Sequence, residues 1–229
     1  MPKLSGKSVK SATIAFIALV TATLVCLVGA PSAAAASAAG TRLAPKSLKA
    51  SLLFLANLPA GYQRVGDPTD ARLNIPPAFF DECQALTSTA TPADTGRRTH
   101  VAVAAFARDQ EETVLIELLA VTGDRIARAA VASTAAAWRR CPTSVISEAE
   151  PRMTISHYRM KVPRLGDASA GVRYVLRMGN PEQVSHAMAI TVALRGVYLK
   201  ILVLGRNEPD SRELDRIARI AVAKLKRTR

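Results

Sequence analysis

The N-terminal segment limits where this chain can fold. Three lysines and no acidic residue occupy the first twelve positions, and an uncharged run from Ser11 to Thr41 follows. A basic head, an apolar stretch of this length and a tail of small residues form the three-part pattern of a secretory signal peptide. The tail offers several A-x-A sites, and we favour cleavage after Ala36 or Ala38. The sequence therefore predicts a signal peptide over residues 1–38.

Two other interpretations of this segment place the remaining chain on the same side of the membrane. Residues 11–30 are uncharged and about long enough to span a bilayer, so the segment could stay as an uncleaved anchor with its lysines in the cytoplasm. Cys26 could carry a lipid, but the branched Val25 before it makes a poor lipobox. In each case we expect a protein that is secreted or held on the extracellular face of the cell membrane.

The remainder has the length of one domain and a strong positive charge. We predict a short tether over residues 39–45 and a single domain over 46–229. Beyond residue 40 the chain has 28 basic and 18 acidic residues, a net charge of 28 − 18 = +10. Export argues against nucleic acid as the partner, so we expect contact with anionic lipid head groups, an anionic cell-wall polymer or an acidic partner. The alternative is a dispersed basic surface without a partner.

Cysteine usage agrees with export. The predicted mature chain contains only Cys83 and Cys141, and in an oxidising compartment two cysteines in one compact domain most often pair. The disulfide would close a loop of about 58 residues, worth roughly 4 kcal/mol in the chain-entropy model. A nucleophilic cysteine is the alternative, and it would require a partner histidine.

Hydrophobic periodicity predicts a mixed fold. Helices are predicted at residues 46–58, from 76 onward, at 125–140 and after an N-cap at Asp210, with Glu213 completing a pattern that resembles a capping box. Strands are predicted from 62 and at 100–108, 113–121, 152–162, 171–178, 183–195 and 197–204, with a turn at 67–70 and a hairpin at Arg195-Gly196. This order lacks βαβ alternation. It predicts an α+β domain with a mostly antiparallel sheet of about five to seven strands and helices packed largely on one face.

No strong catalytic signature is present. The chain contains no G-x-S-x-G elbow, no phosphate-binding G-x-x-x-x-G-K-[ST] loop and no H-E-x-x-H motif. His100, His157 and His186 all fall in predicted strands, where we interpret His186 as a core or sheet-edge residue and the other two as half-exposed. We therefore expect no catalytic residues, no metal site and no cofactor.

Four short segments carry a family resemblance. The segments at residues 52–62, 80–83, 136–142 and 195–201 resemble, in that order, exported actinobacterial sensor-like domains. These include many mycobacterial lipoproteins and the extracellular domain of transmembrane Ser/Thr kinases of the protein kinase H type. The resemblance would cover most of residues 46–226, and it implies an α+β domain with helix-anchoring disulfides and an extracellular ligand. This chain departs from that family in having two domain cysteines where four are common, and in lacking a kinase domain.

These observations favour a non-enzymatic domain of the cell envelope, or a secreted one, that binds an unidentified ligand or partner. The sequence does not indicate which residues bind it. One alternative is a small secreted hydrolase with an unrecognised site around His100 or His157. The other is a basic adhesion module for anionic lipid or cell-wall polymer, whose binding would weaken with salt.

Overall fold

The computed structural model describes residues 45–75, 81–83, 97–108, 112–146, 152–179 and 183–228. All of them belong to one compact unit, Ala39–Arg229. The predicted signal peptide and nearly all of the tether lie outside the described residues. So does most of the helix predicted from residue 76, whose described positions 81–83 form a turn.

Alternating apolar residues build one antiparallel sheet. Its strands are β1 (Gln63–Arg64), β2 (Thr69–Ile75), β3 (Arg97–Arg108), β4 (Thr113–Val121), β5 (Thr143–Ile146), β6 (Met153–Met160), β7 (Ala168–Met178), β8 (Gln183–Leu194) and β9 (Val197–Gly205). They lie in the order β1-β3-β4-β9-β8-β7-β6-β5, and β2 also pairs with β3. Neighbouring strands are antiparallel throughout. The α+β class is confirmed.

The number of strands corrects the expectation of five to seven, because the described residues form nine. Strand β2 begins at Thr69, inside the turn predicted at 67–70, where Asp67-Pro68 had the stronger local signature. Strand β5 has only four residues and follows Pro142, so its pattern was too short to recognise. Both strands are held by pairing with a longer neighbour, which their own sequences do not reveal.

Helices lie on both faces of the sheet, which corrects the expectation that they would lie largely on one. They are α1 (Pro45–Ser51), α2 (Asp124–Arg140) and α3 (Ser211–Arg227). Leu199 and Ile201 of β9 belong to one core cluster with α1 and α3. Lys200, which points to the opposite face, contacts a carboxylate that also bonds to α2. Residues 187–194 of β8 are therefore all buried, as expected for a strand covered on both sides.

Helix α3 follows its predicted pattern closely. Leu214, Ile217, Ala221 and Leu225 are all buried, and the N-cap Asp210 accepts a hydrogen bond from the backbone N–H of Arg212 at 2.9 Å. Glu213, the second position of the expected capping box, takes another partner. Its carboxylate accepts from the guanidinium of Arg108 at 2.9 Å and from the hydroxyl of Tyr62 at 3.1 Å. These two hydrogen bonds connect the first turn of α3 to strand β3 and to the residue before β1.

Local turns agree with the sequence in part. The hairpin between β8 and β9 is confirmed at Arg195-Gly196, with φ of 49° and 77°, the left-handed values that a primed two-residue turn requires. The helix predicted at 46–58 is shorter than expected. It ends at Ser51, and a separate 3-10 turn follows at Leu55–Asn57. Within the described ranges, no helix combines the length and apolar character needed to cross a membrane.

Candidate functional site

The two predicted domain cysteines are joined on the face of the sheet that carries α2. Cys83 lies in the described segment 81–83, and Cys141 follows the last residue of α2, with the two Cα atoms 5.8 Å apart. The backbone N–H of Glu82 donates to Ser133 Oγ of α2 at 2.9 Å. A covalent bond and a hydrogen bond therefore fasten segment 81–83 to the helix.

Glu82 is the buried centre of this region. Its side chain is 4 % exposed, and the ammonium nitrogen of Lys200 lies 3.1 Å from both of its carboxylate oxygens. The hydroxyls of Thr134, at 3.2 Å, and of Tyr174 also donate to it. Burial by itself raises the pKa of Glu82, but the charge of Lys200 and these hydrogen bonds outweigh it and leave the pKa below its ordinary value. An ionised carboxylate with this many donors is suited to a structural ion pair and is a poor general base.

The three histidines lie on three different strands, β3, β6 and β8. His157 is 3 % exposed and packs edge-on against Tyr174, with ring centroids 5.4 Å apart, so the expectation that it would be half-exposed is wrong. Burial lowers its pKa. His100 contacts the carboxylate of Asp70. Within the part of the chain that the structure describes, no hydrogen bond joins His100 to a serine, threonine or cysteine side chain.

A second buried carboxylate, which the sequence did not single out, lies on the opposite face. Glu117 of β4 is fully buried, and one of its oxygens accepts the backbone N–H of Leu53 at 2.5 Å. Its other oxygen accepts no hydrogen bond from the described residues. Burial raises the pKa of Glu117 to about 7, opposed by the Leu53 hydrogen bond and the nearby charge of Lys224. The ammonium group of Lys224 donates hydrogen bonds to Leu52 O and to Asn57 Oδ1.

An open cavity lies elsewhere, between α3 and the loop that connects β6 to β7. It has a volume of about 290 Å³. Three exposed cations and four small or apolar residues line it: Arg164, Arg219, Lys226, Leu165, Gly166, Val222 and Ala223. We call it the cationic pocket. Among the described residues, the side chains of Arg164 and Lys226 form no hydrogen bond or ion pair, so their charges face solvent.

The loop wall of the cationic pocket is fixed by its own hydrogen bonds. Ser169 Oγ accepts from Leu165 N at 3.1 Å and donates to Pro163 O at 2.9 Å. At Gly166, φ is +60°, and an added Cβ would lie 2.5 Å from Ala193 O of β8, so only glycine fits. The N–H of Asp167 donates to the same carbonyl oxygen at 2.7 Å. The backbone that carries Arg164 is therefore held in place before any ligand arrives.

The arrangement of helices and strands described above recurs in a solved extracellular domain. The structure is similar to the crystal structure of the extracellular domain of PknH from Mycobacterium tuberculosis, with a TM-score of 0.55 and 17 % identity over 81 % of this chain and 98 % of that one. It also matches the structure of an uncharacterised Mycobacterium smegmatis protein described as an Rv0999 ortholog, with a TM-score of 0.41 and 10 % identity over 76 % of this chain and 92 % of that one. No family model and no curated protein matches the chain. At the level of the fold, the resemblance deduced from short motifs is confirmed.

Sequence reasoning found the cysteines but not the cationic pocket. Lysine and arginine on the last turns of α3 were visible as a basic helix end. Arg164 lies more than fifty positions earlier, in a loop without a motif, and only the packing of that loop against α3 brings it to Arg219 and Lys226. The spacing of 219 and 226, two helical turns apart on one face, was the single available indication.

Proposed function

We propose that this chain is an exported, non-enzymatic domain of the cell envelope that binds a ligand or partner at the cationic pocket. The observation that carries the proposal is a cavity lined by three exposed cations, two of which, Arg164 and Lys226, have no partner among the described residues. The predicted signal peptide supports an extracellular location. The shared fold with an extracellular domain is consistent with that location.

The described chemistry supports binding over catalysis. The carboxylate of Glu82 already forms an ion pair with Lys200 and accepts hydrogen bonds from two hydroxyl groups. The residues that line the cationic pocket supply guanidinium and ammonium groups, which bind anions, and no group that would exchange a proton near neutral pH. We therefore assign the pocket to recognition of a negatively charged group.

Native mass spectrometry of the full chain, isolated from the envelope of the cells that make it, tests this proposal. We expect an added mass that is lost in a variant carrying both Arg164→Gln and Arg219→Gln. A variant with Arg125→Gln and Arg128→Gln is the matched control, because it removes the same charge from exposed positions of α2 on the other face of the sheet. Retention of the same ligand by both variants would contradict the proposal, and so would catalytic turnover of a bound substrate.

A second candidate function is adhesion to an anionic surface, favoured by the distribution of charge on α3. Arg212, Arg216, Arg219 and Lys226 are exposed and recur at intervals of four, three and seven along the helix. Such a face attracts anionic lipid or polymer through many weak contacts that salt screens. Adhesion predicts binding that falls with each charge removed anywhere on this helix. Loss only on substitution at the pocket would exclude it.

A further inference from the structure

We infer that the cationic pocket holds a phosphate group, so that the ligand of this domain is a phosphate ester. The inference rests on the proposed function, because it specifies the chemistry of the ligand that the pocket would bind. Three features of the pocket support it: its charge, the geometry of its donors and its size. Each is independent of the exported location of the chain.

The charge of the pocket matches a dianion. Arg164, Arg219 and Lys226 contribute three positive charges to the lining. Asp215, one turn before Arg219 on α3, lies outside the lining but interacts with the charge of Arg219, and counting it leaves 3 − 1 = +2. Asp167, in the loop, is occupied elsewhere, since its carboxylate accepts the backbone N–H of Arg195 at 2.7 Å. A phosphate monoester carries about −1.5 to −2 at neutral pH, whereas a carboxylate carries −1. A phosphate monoester therefore neutralises the pocket more completely.

The donors are of the kinds that bind phosphate. Each guanidinium presents a planar fork that can hold two oxygens of one tetrahedral anion, and a lysine adds a mobile point charge. Arg164 approaches from the loop, while Arg219 and Lys226 lie two turns apart on one face of α3. Donors from two separate walls can bind different oxygens of a tetrahedral group. A planar carboxylate has only two oxygens, so we expect it to leave the donors of one wall without a hydrogen bond. The buried Leu165 and Val222 form an apolar part of the lining for the carbon side of an ester.

The size of the cavity limits what part of the ligand enters. Pockets that enclose a whole drug-sized ligand measure roughly 300–1,000 Å³. The volume of the cationic pocket, about 290 Å³, lies just below that range. The pocket is open to solvent on the side where its three cations are exposed. It can hold a phosphate with the first atoms of its ester, while the remainder of the molecule stays outside. Both a soluble phosphate ester and a lipid with a phosphate head group meet this condition.

Calorimetric titration of the full-length chain with inorganic phosphate, and with acetate as the carboxylate probe, tests the chemistry. We expect phosphate to bind at low ionic strength and acetate to bind at least about tenfold more weakly. Arg164→Gln with Arg219→Gln should weaken phosphate binding at least about tenfold, while the matched Arg125→Gln, Arg128→Gln variant should retain it. Thermal unfolding of each variant verifies that the fold is intact. Equal affinity for acetate, or equal loss in both variants, would overturn the inference.

Vesicle binding identifies the source of the phosphate. Vesicles of phosphatidylcholine are compared with vesicles that also contain phosphatidic acid, in the presence and absence of inorganic phosphate. Binding to phosphatidic acid that inorganic phosphate displaces supports a lipid head group, and binding of inorganic phosphate without vesicle binding supports a soluble ester. Absence of binding to either overturns the inference. A phosphorus-free molecule co-purifying at the pocket would overturn it while leaving the proposed function intact.

Discussion

Lys200 and Glu82 form an ion pair across the sheet face that carries the disulfide, with the ammonium nitrogen 3.1 Å from both carboxylate oxygens. The carboxylate is almost fully buried, and the lysine side chain is 25 % exposed. The partners are 118 residues apart in sequence, so the pair joins the turn next to Cys83 to the central strand β9. The ion pair therefore connects segment 81–83 to the sheet, whereas the disulfide connects it to the end of helix α2.

Removing the lysine should therefore destabilise the domain. Lys200→Met leaves the carboxylate of Glu82 buried without its counter-ion, and we expect the free energy of unfolding to fall by about 3 kcal/mol. Urea denaturation measures the change. Arg128→Met is the control, because that residue is exposed on α2, and it should change stability by less than about 0.5 kcal/mol. Equal effects of the two substitutions would show that the ion pair contributes nothing.

Stability should depend on pH through Glu117. Its pKa is about 7 in the folded chain against 4.5 for an ordinary glutamate, so the folded state binds the proton more tightly than the unfolded state. The contribution is fully present below pH 4.5 and is lost as the pH rises through 7, and we expect about 2–3 kcal/mol between these limits.

Glu117→Gln isolates that contribution. The amide cannot ionise, so denaturation curves of this variant between pH 5 and pH 8 should lack the decline expected for the wild type. Burial lowers the pKa of His157, which makes stability rise with pH and so opposes the effect of Glu117. The difference between the two proteins removes this second influence. Parallel dependences of stability on pH in the wild type and the variant would refute the assignment of this effect to Glu117.

The disulfide should stabilise the domain by constraining its unfolded state. Cys83 and Cys141 are 58 residues apart, and replacing both with serine should lower the free energy of unfolding by roughly 4 kcal/mol in the chain-entropy model. Denaturation of the wild type with and without a reductant provides the companion measurement. The variant should not respond to the reductant. A reductant effect that persists in it would assign the stabilisation to another cause.

Glycine should be required at the wall of the cationic pocket. Gly166 and Gly66 have similar positive φ values, +60° and +69°, but an added Cβ meets Ala193 O at 2.5 Å in the first case and nothing within 4 Å in the second. Alanine at position 66 should cost about 1 kcal/mol from backbone strain alone. Alanine at position 166 should cost more, and it should also weaken phosphate binding by shifting Arg164. Thermal unfolding and titration measure the two effects, and equal costs would contradict this account.

The elements with strong local patterns were predictable from the sequence. Strands β4, β8 and β9 and the buried face of α3 follow from uninterrupted periodicity, and the Arg195-Gly196 hairpin follows from the short spacing between two apolar runs. Strand β2 was missed because a strong turn signature overlaps its first residues, although Thr69, Ala71 and Leu73 alternate with polar residues. The helix predicted at 46–58 was too long because leucine spacing alone does not locate the end of a helix at Ser51.

What the sequence determined by itself is the class of fold, the predicted export of the chain and the two cysteines that could pair, because periodicity, a charged leader and residue identity are local properties. Only the tertiary structure decided which face each helix covers, since β8 is apolar on both sides and its sequence favours neither. It also decided that Glu82 forms an ion pair with Lys200 and that Arg164 lines one pocket with Arg219 and Lys226. These two arrangements bring together residues 55 to 118 positions apart, because packing of the sheet and helices, without a local signal, places distant charges near one another.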